Sequence, residues 1–226
     1  MAVRVSVIAI DGPVAAGKTV VGRKLARQLS FRYLDTGVMY RAITWLSLQR
    51  EIPVEDGEAL GQLARDNPIR LQGQDSDQVL IGGARVGPPE LRDPSVDRQV
   101  SLVSQVSEVR RSLVQQQRSL AEEGKIVLVG RDIGTVVLPG ADLKIFVTAS
   151  LEERARRRWR DQLAQRTETD YQQVLEETRA RDELDSHRAD SPMKPAEDAW
   201  QVSTEGLSVD QVVNLILQRA QELPKA

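Results

Sequence analysis

The chain alternates between short, wholly apolar blocks and longer stretches in which apolar residues return every three or four positions. Val3 to Ile10 is the first apolar block, a helix is predicted near Lys18 to Leu29, and a second from about Val38 to about Arg50. Lys125 to Val129 and Leu143 to Val147 are short β-rich runs flanked by amphipathic sequence, the texture of strands buried on both faces. Strands and helices in alternation predict an α/β fold with a parallel central sheet flanked by helices. One region breaks the rhythm. From roughly Gly61 to Pro94, the residues Gly61, Gly73, Gly82, Gly83, Gly87, Pro68, Pro88, Pro89 and Pro94 interrupt short pieces such as Ile69 to Leu71 and Val79 to Ile81, predicting a small inserted β unit. Helical spacing returns over Val96 to Leu120, where Val100, Val103, Val106, Val109 and Leu113 share one apolar face. There is no internal repeat and no low-complexity tract.

Where the first strand meets the first helix, the chain reads Gly12-Pro13-Val14-Ala15-Ala16-Gly17-Lys18-Thr19, which fills every fixed position of a phosphate-binding loop. Glycines at both ends let the backbone curl so that successive N–H groups point at one anion, and the helix that follows adds its N-terminal dipole. Lys18 can bridge the outer phosphates of a nucleoside triphosphate, and Thr19 supplies a hydroxyl for Mg²⁺. A chance glycine-rich turn is the alternative, and the ordered sequence of strand, loop, Gly-Lys-Thr and helix argues against it.

Composition narrows the chemistry. The 226 residues suffice for one α/β core with insertions or for two small domains, and 40% hydrophobic with 28% charged residues describes an ordinary globular protein. No apolar run approaches the roughly twenty residues that span a bilayer, and no signal-like segment precedes the first strand, so a cytoplasmic protein with no membrane partner is expected. With no cysteine and a single histidine, His187, there is no thiolate nucleophile, disulfide or histidine cluster. Catalysis must rest on Lys, Arg, Asp, backbone amides and a borrowed metal ion. A net charge of −2 and only eight aromatic residues make nucleic acid an unexpected partner.

A phosphate loop does not choose among motors, switches and small-molecule kinases. Asp35-Thr36-Gly37-Val38-Met39-Tyr40-Arg41 follows the first helix, where a short strand would deliver it to the carboxyl edge of the sheet beside the loop. Arg41 is placed to fork onto a second phosphate and Thr36 to reach a neighbouring oxygen; alternatively Thr36 caps the helix and Arg41 is a surface charge. Gly130-Arg131-Asp132 ends the strand Lys125 to Val129 at the same edge. Five arginines crowd Arg154 to Arg160, and Arg181, Asp185 and Arg188 fall on one face of a helix. Such a stripe can be a solvated, salt-bridged surface, but beside a phosphate loop guanidinium groups stabilise charge on a transferring phosphoryl group.

Over nearly its whole length the chain resembles the bacterial cytidylate kinases, long form, within the nucleoside monophosphate kinase family. The likeness is carried by Ile10 to Pro13 with Gly17-Lys18-Thr19, Asp35-Thr36-Gly37 with Tyr40-Arg41, Val100-Ser101, Val109-Arg110, Gln117-Arg118, Gly130 to Val137, Lys144 to Ser150, Glu153 to Arg158, and Arg181 to Arg188. Ser191-Pro192, Pro195-Ala196, Asp198-Ala199 and Leu207-Ser208 complete it. The resemblance implies a kinase moving the γ-phosphoryl group of ATP to CMP or dCMP, with magnesium held through Thr19. It implies a core of residues 1–60 and 100–226, a monophosphate-binding insert at 61–99 and an arginine-rich helical lid around 155–190. ATP would lie on Gly12 to Thr19. Arg41, Arg131 and Arg188 would grip acceptor phosphates or neighbouring atoms, and Thr36, Arg181 and Asp185 the acceptor's phosphate or sugar. Ser101, Arg110 and Asp132 would read the cytosine edge, while Arg157 and Arg158 close over the transferring group; Lys18, Arg131 and Asp132 complete the catalytic set. A monomer is expected. Two positions depart from the family pattern: Ala15 stands where a glycine is often found, tolerable if its φ stays negative, and Ser203 where Asp is frequent. A regulatory GTPase would need Asn-Lys-x-Asp and Asp-x-x-Gly motifs, neither of which occurs; a UMP kinase or a kinase for another small acceptor is the remaining alternative.

Overall fold

The computed structural model describes residues 5–72, 78–164 and 169–223; Val3, at the start of the first apolar block, and Gly73 lie outside them. The apolar run becomes strand β1 (Val7–Asp11), and the phosphate loop turns it into helix α1 (Lys18–Leu29). Strand β2 (Arg32–Asp35) leads into α2 (Thr36–Gln49), whose N-terminus is capped by the Asp35 carboxylate accepting from the Gly37 amide at 3.0 Å. Helix α3 (Gly57–Asp66) precedes a hairpin unit of β3 (Arg70–Gln72), β4 (Gln78–Ile81) and β5 (Ala84–Val86). The short helix α4 (Pro88–Leu91), α5 (Pro94–Val103) and α6 (Ser107–Ala121) follow. The chain then returns through β6 (Ile126–Val129), a π-helical turn at Ile133–Val137 and β7 (Leu143–Thr148). Helices α7 (Leu151–Ala164) and α8 (Tyr171–His187), β8 (Trp200–Ser203) and α9 (Val209–Glu222) end it.

Five strands form one parallel sheet in the order β2-β6-β1-β7-β8. Because side chains alternate across a strand, β6 sends Ile126 and Leu128 to one face, and Val127 and Val129 to the other. On the first face they pack with α2, α3, α5 and α6; on the second, with Val21 and Leu25 of α1 and Val213 and Ile216 of α9. Burial on both faces explains why the strands read as continuous apolar runs. The consequence for function is that the carboxyl ends of β1, β2 and β6 lie side by side, the place where parallel sheets open a ligand crevice.

The inserted β unit is present as the antiparallel sheet β3-β4-β5, with the β4–β5 turn at Gly82-Gly83. Three sequence expectations need correction. Gly61 is not a chain breaker but lies inside α3, where a Cβ would stand 2.3 Å from Cβ of Glu108; the glycine permits close packing of α3 on α6. The apolar face from Val100 to Leu113 belongs to two helices, since the chain leaves helical geometry between Val103 and Ser107, with Val106 as the N-cap of α6. Arg188 stands one residue past α8 in extended conformation, and so shares no helix face with Arg181 and Asp185.

Candidate active site

The loop Gly12 to Thr19 leaves β1 with Gly12 at φ 144 and enters α1 with Gly17 at φ 93. Gly12 has a second constraint, because a Cβ there would lie 2.1 Å from the Val147 carbonyl oxygen of the adjoining strand. Ala15 also takes a left-handed conformation, φ 58, contrary to the expectation that its φ stays negative. The loop's curl requires that geometry, and the alanine adopts it at a cost on the order of 1 kcal/mol. Lys18 is buried and donates from Nζ to the Pro13 carbonyl at 2.6 Å across its own loop. Burial, with Arg131 beside it, pushes its ammonium well below the usual lysine range. The Thr19 hydroxyl donates to Asp35 Oδ2 at 2.9 Å, so Asp35 both caps α2 and faces the loop.

Across the same sheet edge lies a cleft lined by Asp35, Thr36, Gly37, Tyr40 and Arg41 of β2 and α2, Val100, Ser101 and Ser104, Arg110 of α6, Gly130 to Asp132, and Arg181, Asp185 and Arg188. The structure thus gathers every expected acceptor residue, from five separate stretches of chain. At its floor Asp132 is buried between two guanidinium groups: Arg110 pairs with Oδ2, and Arg188 Nη2 donates to Oδ1 at 3.3 Å. Arg110 also lies over the Tyr40 ring, 5.6 Å from its centroid, and burial raises the Tyr40 phenol to about 12. Arg131 Nε donates to Asp185 Oδ2 at 2.8 Å. Burial alone would raise the Asp185 carboxyl, but the charge of Arg131 and this hydrogen bond outweigh it and hold the group below its ordinary value. Burial, with Arg131 nearby, lowers Arg181 to about 10, and its Nε is buried without a hydrogen-bond partner.

Thr36 and Arg41 line the cleft with their polar atoms already engaged. Thr36 Oγ1 donates to the Val129 carbonyl at 3.0 Å, tying α2 to the end of β6, and the helix cap is Asp35 rather than Thr36. Arg41 is no free surface charge: it donates to the Leu91 carbonyl at 2.8 Å and to Asp97 at 2.6 Å.

The arginine cluster divides by position. Arg157 reaches back to the loop, donating to Thr204 Oγ1 at 2.9 Å and to the Thr204 carbonyl at 3.0 Å, while Thr204 Oγ1 donates to the Ala16 carbonyl at 3.0 Å. Arg158 faces α8, 3.8 Å from Glu177. Arg154, given no role on sequence, is buried and links the Val14 carbonyl at 3.3 Å, the Ala149 carbonyl at 3.0 Å and Asp182 at 2.5 Å. Ser203 is exposed, and its hydroxyl accepts from the Glu205 amide at 3.3 Å. Asp11 was also missed as anything but part of a motif; its position immediately before the loop was the available signal.

Such a pairing, a triphosphate loop and an arginine-lined acceptor cleft sharing one sheet edge, is the plan of a P-loop nucleoside monophosphate kinase. The family model described as cytidylate kinase matches residues 8–222. A curated cytidylate kinase from Caldanaerobacter subterraneus subsp. tengcongensis is 48% identical over 211 residues, covering 93% of this chain and 92% of its own. Another, from Streptococcus mutans, is 46% identical over 219 residues and covers 96% of both. The chain belongs to the cytidylate kinase family. Among solved structures, an uncharacterized protein from Eubacterium ventriosum shares the fold, with a TM-score of 0.51 at 12% identity over 96% of this chain and 99% of that one. Among the described residues no helix is long and apolar enough to cross a membrane, and no group of three or more His, Cys, Asp or Glu could hold a metal ion.

Proposed function

We propose that this chain transfers the γ-phosphoryl group of ATP to CMP or dCMP, giving ADP and CDP or dCDP. The observation that carries the base assignment is the buried Arg110–Asp132–Arg188 cluster on the floor of the cleft beside the phosphate loop. Cytosine offers an N4 amino donor and an unprotonated N3 acceptor. Asp132 has the lone pairs to accept from the first, and Arg110 or Ser101 can donate to the second. Arg41, Arg131 and Arg188 grip the acceptor phosphate, with Thr36, Arg181 and Asp185 at phosphate or sugar.

In the transfer an oxygen of the acceptor phosphate forms a bond to the γ-phosphorus as the bond to the β-phosphate oxygen breaks. That acceptor oxygen is already ionised at neutral pH, so no general base is needed, and the residues act by positioning and charge compensation. Lys18 and the loop amides hold the donor phosphates. Arg157 and Arg158 both stand on α7, which together with α8 we read as a lid over 155–190, with 61–99 as the monophosphate-binding insert. Kinases of this family use ATP with magnesium. The Thr19 hydroxyl against the Asp35 carboxylate forms an oxygen pair at the loop that fits a hard divalent cation. Magnesium there would neutralise donor phosphate charge.

A coupled ADP-release assay across CMP, dCMP, UMP, AMP, GMP and shikimate-like acids tests the reading. Each buried polar group left facing the wrong partner costs about 1–3 kcal/mol, so UMP is expected to lose roughly a hundredfold or more in kcat/KM. Equal values for CMP and UMP would leave a general pyrimidine monophosphate kinase, and turnover of the acids alone would move the chain to another acceptor class.

A further inference from the structure

Between the strand that enters the phosphate loop and the residues that face the acceptor there is a direct connection through a residue with no assigned role. Asp11 is the last residue of β1 and immediately precedes Gly12. Its side chain is buried, 4% exposed, and both carboxylate oxygens are used: Oδ1 accepts from the Ile133 amide and Oδ2 from the Gly134 amide, each at 2.7 Å. One residue earlier on the same strand, the Ile10 carbonyl accepts from the Gly130 amide at 3.0 Å. Strand β1 therefore holds the segment 130–134 at both ends. The two residues suspended between those holds are Arg131 and Asp132, which carry the charges turned into the acceptor cleft.

We propose that Asp11 is a positioning residue for acceptor recognition: by clamping the Ile133 and Gly134 amides it fixes where Asp132 stands between Arg110 and Arg188, and so sets the match to the acceptor base. The proposal rests on the CMP kinase reading given above. Each carboxylate oxygen takes one of the two adjacent N–H donors, whereas a carboxamide would turn an NH₂ donor toward one of them. The fold tolerates a cost for this. Burial, with the Asp132 carboxylate nearby, raises the Asp11 carboxyl to about 6 despite the two amide bonds that lower it. The backbone beyond the clamp is held in turn by Asp132 itself, whose carbonyl accepts from the Val136 amide at 2.9 Å. A shift of the turn thus moves Asp132 rather than being absorbed downstream.

The test is Asp11→Asn in the full chain, with steady-state kinetics for CMP, UMP and ATP. The carboxamide keeps the volume and one acceptor but turns an NH₂ group toward one of the amides. The KM for CMP is expected to rise about tenfold or more and the CMP-to-UMP ratio of kcat/KM to shrink, while the KM for ATP stays within about twofold. A residue that only supported the fold would lower the melting temperature without this split between the two substrates. Equal rises in both KM values, or a fall in kcat with both KM values and the base ratio unchanged, would overturn the proposal. Gly134→Ala gives an independent handle should the asparagine variant not fold. Its methyl would sit 3.3 Å from the Lys144 chain and 3.4 Å from Asp11 Oδ2, so these side chains or the turn must give by a few tenths of an ångström with the carboxylate intact, and a smaller change with the same split is expected. Failure of the unaltered protein to phosphorylate CMP counts against the functional reading instead, which separates the two failures.

Discussion

Asp132→Asn is the most informative single change, because the residue we assign to base reading also holds two buried cations together. Asp132, Arg110 and Arg188 are 5%, 3% and 7% exposed, so solvent does little to screen either guanidinium once the carboxylate is gone. Removing one partner of a buried pair costs about 3–5 kcal/mol. Asparagine keeps the shape and one oxygen, which places the expected loss near the lower end, about 3 kcal/mol. For a chain of this length each kcal/mol moves the melting point by about 2–4 °C, so a fall on the order of 10 °C is expected. The assay is thermal unfolding followed by circular dichroism, paired with kcat/KM for CMP and UMP below the transition. At those temperatures the variant should favour CMP less over UMP, because the lost charge faced the N4 amino group. A melting point within about a degree of the parent would show that solvent reaches the cluster and that the burial argument fails. An unchanged CMP-to-UMP ratio with the expected instability would leave Asp132 as a structural counter-ion and remove it from base recognition.

Two further outcomes follow from the loop. Lys18→Ala should reduce kcat by orders of magnitude with circular dichroism and melting temperature preserved or raised, since the lysine is a buried cation whose service is to the transition state; near-normal turnover would refute its role. Ala15→Gly should release the strain of φ 58, offset in part by glycine's greater freedom in the unfolded chain, for a net gain of about 0.5 kcal/mol and a melting point higher by about 1–2 °C. A lower melting point would show that the alanine methyl is worth more in packing than its backbone costs.

The phosphate loop, both flanking elements and the constellations around Arg41 and Asp132 were legible because each is local: a strand, a turn and a helix written in consecutive residues. What the chain hid were choices settled between elements. The glycine at 61 reads as a breaker in one dimension, and only the approach of α6 shows that it is a packing residue. The valines from Val100 to Leu113 keep helical spacing across a break, since both helices press the same core and periodicity alone does not register a change of axis. Arg188 reaches Asp132 from an extended residue, so its apparent helical phase with Arg181 carried the right neighbourhood for the wrong reason. Arg154 was indistinguishable in sequence from the arginines around it. Its burial among two carbonyls and Asp182 sets it apart from Arg156, which pairs with Glu153 at the surface.

The cleft also explains what α8 adds to what a sheet edge supplies. Arg41, Arg110, Arg131, Arg181 and Arg188 converge on a space they share with only a few carboxylates, and that crowding is read directly in Arg181, pushed down to about 10 by burial and its neighbour Arg131. Without α8 the cleft would lose Arg181 and Asp185 together, leaving Arg131 without the carboxylate that now orients it. Asp132 and Asp185 offset part of the repulsion, each engaged by arginines and each still able to accept from a ligand. The remaining positive charge is aligned in advance around the place we assign to the acceptor phosphate. That arrangement favours an anionic acceptor before the chemistry begins, and it supplies charge compensation without reorganising water as the phosphoryl group moves.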